Sequence, residues 1–133
     1  MTFINDCKSF TTVSVALTLL VFSIQGRAED IIASGTFTGA SSHVTTGSVS
    51  VVKTADGMSV VLGGDFSFDG APDPKVGFGK SGRYDSKSQL AHLRANSGEQ
   101  SYPIPASVTV SDYDEIYIWC EKYSVPLGVA KID

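Results

Sequence analysis

The sequence predicts an all-β domain, either an antiparallel β-sandwich or a partly closed barrel of about eight to nine short strands. No long segment repeats its apolar residues at helical spacing. Instead, short runs rich in β-branched and aromatic residues recur along the chain. Gly, Pro, Asp and Ser separate these runs at regular intervals, which is the pattern that turns produce between strands.

A hairpin is the clearest local feature of the first half of the chain. Residues 47–53 and 58–62 are both β-rich, and residues 54–57 join them. This connection ends in Asp56-Gly57, and Asp-Gly is a strong hairpin signal because glycine adopts the positive φ that the turn requires. Residues 35–37 begin the strand that precedes this hairpin.

The remaining runs predict further strands of the same kind. Phe66 and Phe68 alternate with polar residues, which places both rings on one face of a strand. We interpret residues 80–88 as a polar loop. The other predicted strands cover residues 75–78, 89–93, 100–102, 115–120 and 125–132.

Residues 1–28 have the pattern of a secretory signal peptide that is cleaved before Glu29. Residues 13–24 form an apolar run, which is short for a membrane span of about 20 residues. Gly26 and Ala28 place small residues at the two positions that a signal peptidase reads. We therefore expect an exported protein, periplasmic or extracellular, with residues 29–133 as a single domain. An uncleaved membrane anchor is the alternative.

The charge of the chain argues against one class of partner. The formal net charge is −4 and no basic patch is visible, whereas proteins that bind nucleic acid need clustered positive charge. We expect no nucleic-acid partner and no membrane contact after leader cleavage. A monomer is the expected state.

Cysteine usage raises the main functional question. Of the two cysteines, Cys7 lies in the predicted leader, which leaves Cys120 alone in a compartment where thiols are usually paired. A lone thiol is a small packing hydrophobe, an intermolecular link or a working group. Cys120 shares strand parity with Ile116 and Ile118, so it is buried if the isoleucine face belongs to the core.

Familiar catalytic motifs are missing from the sequence. It has no Cys-x-x-Cys, no glycine-rich phosphate loop and no Gly-x-Ser-x-Gly elbow. His43 could ligate a metal or haem iron as a neutral imidazole. A blue-copper site is disfavoured because no second His or Met follows Cys120. We therefore predict no metal site and do not expect a turnover enzyme.

The order of several short motifs resembles a known family. The most specific part is Trp119-Cys120, followed by the aromatic Tyr123 and then by Gly128 and Ala130. On these motifs the chain resembles the DM-thirteen domain, the small module that accompanies DOMON domains and is often called an electron-transfer domain. The other matching stretches are residues 35–37, His43 with Gly47, and residues 65–68, 71–73, 93–98 and 100–105.

This resemblance implies a β-sandwich-like fold and a redox role centred on Cys120, in contact with a redox partner protein. It leaves open whether the bare thiol acts or whether a haem or metal is bound. It makes Cys120 the redox candidate, and Cys120, His43 and Trp119 the candidates for binding a cofactor. The rival hypothesis is a non-redox binding or adhesion module in which Cys120 packs in the core.

Overall fold

The computed structural model describes residues 29–133, so the predicted leader lies outside the described residues. The described residues form eleven strands and two short 3-10 turns, Ser86–Ser88 and Val110–Asp112. No helix in this part of the chain is long and apolar enough to span a membrane. The strands are β1 Asp30–Gly39, β2 Thr45–Thr46, β3 Ser48–Thr54, β4 Gly57–Leu62, β5 Ser67–Phe68, β6 Pro74–Lys80, β7 Arg83–Tyr84, β8 Ala91–His92, β9 Gln100–Pro103, β10 Glu115–Cys120 and β11 Val125–Lys131.

One curled antiparallel sheet dominates the fold. Its strand order is β7-β6-β10-β11-β1-β3-β4-β9, and β8 adds to β6 alongside β7. The separate pair β2-β5 forms a small ribbon. The predicted all-β single domain is confirmed, and its form is an open half-barrel.

The core lies on the concave face of this sheet. Alternate residues of each strand point inward, as the period of two requires. Val51 and Val60 face each other across β3 and β4 and are fully buried, as are Ile116 and Ile118 of β10. The two rings that the sequence placed on one face, Phe66 and Phe68, are both buried in this core. Burial of these apolar side chains inside the curled sheet therefore stabilises the fold.

The hairpin predicted at residues 54–57 is confirmed. Thr54 pairs with Gly57, and β3 and β4 continue in register from there to Val49 and Leu62. Gly57 has a φ of 125°, a conformation that residues with side chains rarely adopt. The Asp56-Gly57 turn therefore fixes the register of β3 against β4.

Residues 80–88 differ from the predicted polar loop. They contain β7 and the turn Ser86–Ser88. Ser88 is fully buried, and its hydroxyl accepts a hydrogen bond of 2.8 Å from the Phe78 amide. The segment is therefore an edge of the sheet, fixed by a buried serine that bonds to Phe78 of the preceding strand β6.

Candidate functional site

Cys120 ends β10 on the core side of the sheet. It shares this face with Ile116 and Ile118, and its exposed fraction is 1%. The register places Pro74 of β6 and Val125 of β11 beside it. The isoleucine face of β10 is therefore a core face, which is the arrangement that buries the thiol.

A surface segment of the backbone contacts the Cys120 sulfur. The Cys120 thiol donates a hydrogen bond to the carbonyl oxygen of Pro72, with a sulfur-to-oxygen distance of 3.2 Å. Pro72 itself is exposed. We call residues 69–73 the cover segment. The residue that accepts the bond from the buried sulfur therefore lies at the surface.

Ion pairs hold the C-terminal end of the cover segment. The Lys75 ammonium lies 3.1 Å from Asp73 Oδ1 and 3.3 Å from Glu121 Oε2. The Glu121 amide also donates to the carbonyl oxygen of Asp73 over 3.3 Å. The hydrogen bond to Asp73, supported by that to Glu121, raises the pKa of Lys75. Lys75 therefore ties the cover segment to the residue that follows Cys120.

His43 holds the N-terminal end of the same segment. Its Nδ1 lies 2.9 Å from Asp69 Oδ1, and the Val44 amide donates to Asp69 Oδ2 over 3.0 Å. These two bonds, that of Val44 first, lower the pKa of the Asp69 carboxyl group. The His43 ring also lies 5.9 Å from the ring of Phe68, measured between centroids.

Within residues 29–133, His43 and Cys120 share no direct hydrogen bond, but each of them contacts the cover segment. Among the hydrogen bonds and ion pairs of residues 29–133, His43 contacts Asp69 and Cys120 contacts Pro72. In this described range no group of three or more His, Cys, Asp or Glu side chains could hold a metal ion. The Cys120 sulfur is enclosed by core residues, and its proton is directed at a carbonyl. These surroundings do not fit a haem or a metal ion bound through Cys120.

Trp119 lies on the opposite face of β10, in a cluster of three aromatic rings. It stacks on Tyr84 of β7 with centroids 4.4 Å apart and planes at 13°. Tyr117 meets Trp119 edge-on at 6.3 Å and Tyr84 at 5.6 Å. We call Tyr84, Tyr117 and Trp119 the outer aromatic cluster. Trp119 and Tyr84 are half-buried, so this cluster presents an aromatic surface directly behind the thiol.

Two glycines of β6 make room for these rings. A Cβ atom on Gly77 would lie 2.7 Å from the Tyr84 hydroxyl oxygen, and one on Gly79 would overlap the Tyr117 ring. Burial of the phenol groups raises the pKa of Tyr84 well above its usual range. Burial, with the nearby Glu115 carboxylate second, raises the pKa of Tyr117 to about 12. Both phenols are therefore held in their neutral form.

Strand parity places Tyr117 on the same face of β10 as Trp119, but the stacking partner Tyr84 was not predicted. Tyr84 falls in the segment interpreted as a loop, and Lys75 was treated as an ordinary strand residue. A usable signal was the spacing of Gly77 and Gly79, because alternate glycines leave one face of a strand open to close approach. No comparable signal marks the bond between Cys120 and Pro72, which joins distant parts of the chain.

Comparison with known proteins identifies the family. The family described as Electron transfer DM13 matches residues 36–132. No curated protein and no solved structure matches the chain significantly. The match includes the cover segment, Cys120 and the outer aromatic cluster, and it confirms the resemblance seen in the sequence motifs. The chain therefore belongs to the electron transfer DM13 family.

Proposed function

We propose that this domain is an exported electron-transfer module whose redox group is the Cys120 thiol and which acts on a redox partner protein. Membership of an electron transfer family supports a redox role. Cys120 is the free cysteine of the described residues. The observation that carries the proposal is the bond from its sulfur to exposed Pro72, because it places a core thiol one segment away from a partner.

Thiol–disulfide exchange is the chemistry available to a single cysteine. The Cys120 thiol loses its proton to water, and the thiolate sulfur attacks one sulfur of a disulfide in the partner. The partner's S–S bond breaks, a mixed disulfide forms, and the other partner sulfur leaves as a thiolate. An external thiolate then attacks the partner's sulfur in the mixed disulfide: the bond to Cys120 breaks, Cys120 leaves as a thiolate and takes up a proton, and a new disulfide joins the external thiol to the partner.

This exchange requires the cover segment to open. The segment is tied down at both ends, by His43 with Asp69 and by Lys75 with Asp73. Ion pairs of partly exposed side chains are weak compared with a packed core, so the segment can separate without unfolding of the sheet. Trp119 lies on the opposite face of β10, so the partner reaches the sulfur from the side of the cover segment and not past this ring.

Native-state labelling tests this proposal. Exported protein is incubated with 5,5′-dithiobis(2-nitrobenzoic acid), which releases one coloured thiolate for each thiol it modifies. The difference between wild type and Cys120→Ala isolates this cysteine. We expect labelling of Cys120 at a rate that low urea concentrations hardly change, because local opening exposes little surface. A rate that instead follows global unfolding across all urea concentrations would refute the proposal.

Deep burial of Cys120 favours one alternative, a non-redox extracytoplasmic binding module. The sulfur packs in the same core cluster as Ile116 and Ile118, as an inert thiol does. In that case Cys120→Ala leaves binding of the natural partner unchanged, and labelling occurs only on global unfolding. The same urea series therefore separates the two functions.

A further inference from the structure

We propose that the end of the half-barrel at which β10 begins is a binding site for a small, uncharged ring compound that carries carbonyl oxygens. Cys120 lies at the other end of β10. The site therefore does not depend on the redox role proposed above, and it goes beyond that role.

A cavity of about 880 Å³ opens at this end of the sheet. Small-molecule sites typically occupy about 300–1,000 Å³, and the mouth of a barrel is one of their common positions. The lining is largely apolar, so a ligand with mostly apolar surface gains from entering it. The apolar side chains of the lining include Ile32, Met58, Ile104, Val108, Val110 and Tyr113.

A β-bulge directs one apolar side chain to this cavity. Ile31 pairs with Val52 and Ala33 with Val51, which leaves Ile32 as the extra residue in β1. Ile32 lines the cavity and its exposed fraction is 48%, while that of neighbouring Ile31 is 67%. Bulges occur often at barrel rims and beside functional sites, where they re-aim a side chain. The bulge therefore adds a half-exposed apolar side chain to the wall of the cavity.

Tyr113 forms a fixed aromatic wall of the cavity. Its hydroxyl donates to Asp85 Oδ2 over 2.7 Å, and its ring stacks on Phe78 with centroids 5.4 Å apart. The ring is therefore held in place before any ligand arrives, which reduces the ordering cost of binding. A planar ring compound is the shape that such a wall recognises.

Polar groups at the rim select an uncharged ligand with acceptor atoms. Lys53, Thr109 and Ser111 supply hydrogen-bond donors, whereas Asp56 and Asp133 supply carboxylates. One cation beside two carboxylates gives no strong attraction for an anionic head group, and the largely apolar lining penalises the burial of a charge of either sign. Thr109 precedes the turn Val110–Asp112 but makes no capping bond with its side chain. Its hydroxyl can therefore donate to a carbonyl oxygen.

A matched pair of compounds tests the ligand class. The probe is 2,3-dimethyl-1,4-naphthoquinone, whose methyl groups block addition to thiols and amines, and the control is 2,3-dimethylnaphthalene. Each is titrated against the fluorescence of bound N-phenyl-1-naphthylamine. We expect the quinone to displace this dye at about tenfold lower concentration than the hydrocarbon, as one additional hydrogen bond would give. Equal displacement by the two compounds would overturn the proposed ligand class.

Substitutions test whether the cavity is the site. Ala106 is exposed and lines the cavity, so Ala106→Trp should weaken binding of both compounds at least tenfold. Ala95 is exposed outside the lining, and Ala95→Trp should bind as wild type does. Thr109→Val should abolish the preference for the quinone and leave the hydrocarbon unaffected. Wild-type binding by a folded Ala106→Trp protein, checked by circular dichroism, would refute the site.

One further variant separates this inference from the redox proposal. Cys120→Ala removes the thiol at the far end of β10 and should bind the quinone with wild-type affinity. Loss of quinone binding in a folded Cys120→Ala protein would show that the quinone does not bind independently of the thiol, and would overturn the inference. The redox proposal is decided by the labelling experiment alone.

Discussion

Cys120 and Pro72 lie 48 positions apart in the sequence, and a hydrogen bond of 3.2 Å from sulfur to carbonyl oxygen joins them. The sulfur belongs to the core and the proline faces solvent. This bond therefore links the end of a central strand to a surface segment. The reactivity of the thiol depends on how readily that segment separates from it.

Replacing the sulfur with oxygen tests its structural role. We expect Cys120→Ser to remain folded and to lose about 1–3 kcal/mol of unfolding free energy, because a buried hydroxyl is less well accommodated than a thiol among apolar groups. Urea denaturation gives this value, and exposed Ser107→Ala should change it little. Complete loss of the folded state would contradict the expectation and would point to a group held through sulfur.

Removing one of the ion pairs that hold the cover segment should expose the Cys120 thiol more often. Lys75→Met removes the ammonium that bridges Asp73 and Glu121. We expect the labelling rate of Cys120 to rise several-fold while the urea midpoint stays close to that of wild type. Lys80→Met is the matched control, since Lys80 is exposed at the other end of β6. Equal labelling rates in the two variants would show that this ion pair does not control access.

The two glycines beneath the outer aromatic cluster should differ in their tolerance of a methyl group. At Gly79 the added carbon would overlap both the Tyr117 ring and the carbonyl of Arg83, whereas at Gly77 it meets only the Tyr84 side chain. Overpacking commonly costs about 1–3 kcal/mol. We expect the loss of unfolding free energy in Gly79→Ala to lie at or above this range, because a backbone carbonyl cannot move aside as a side chain can. Gly77→Ala should cost less.

A spectroscopic signal distinguishes these glycine variants further. Tyr84 stacks on Trp119, so moving Tyr84 in Gly77→Ala should alter the emission of this tryptophan while the sheet stays folded. Thermal melts and fluorescence spectra provide the two measurements. Greater destabilisation by Gly77→Ala than by Gly79→Ala would contradict the proposed packing.

Low pH should weaken the interaction between His43 and Asp69 of the cover segment. The folded-state pKa of Asp69 lies below its ordinary value of 3.8. Its carboxylate therefore contributes stability that is present above about pH 4 and is lost as the pH falls through the folded pKa. We expect Asp69→Asn to be less stable than wild type at pH 7 and to approach it near pH 2. Urea midpoints at both pH values measure this, and an unchanged difference would count against the role of Asp69.

The strands that the sequence predicted well are those with local signals. Residues 115–120 alternate isoleucine with aromatic residues, and Asp56-Gly57 marks its own turn. The two-residue strands β2, β5, β7 and β8 are too short to show a period. For the same reason Tyr84 could not be placed against Trp119. The position of Cys120 on a strand was predictable, but its contact with Pro72 was not, because that contact depends on the pairing of β6 with β10, two strands far apart in the sequence.

The pairing of β6 with β10 determines when Cys120 is enclosed as the molecule assembles. β10 and β11 are neighbours in the chain, and their pairing places Val125 beside Cys120. β6 lies much earlier in the chain, and its pairing with β10 brings Pro74 beside Cys120 and the Pro72 carbonyl to the sulfur. Pairing between strands that are far apart in the sequence is slow. We therefore expect the thiol to be more open to oxidants during folding than in the finished domain.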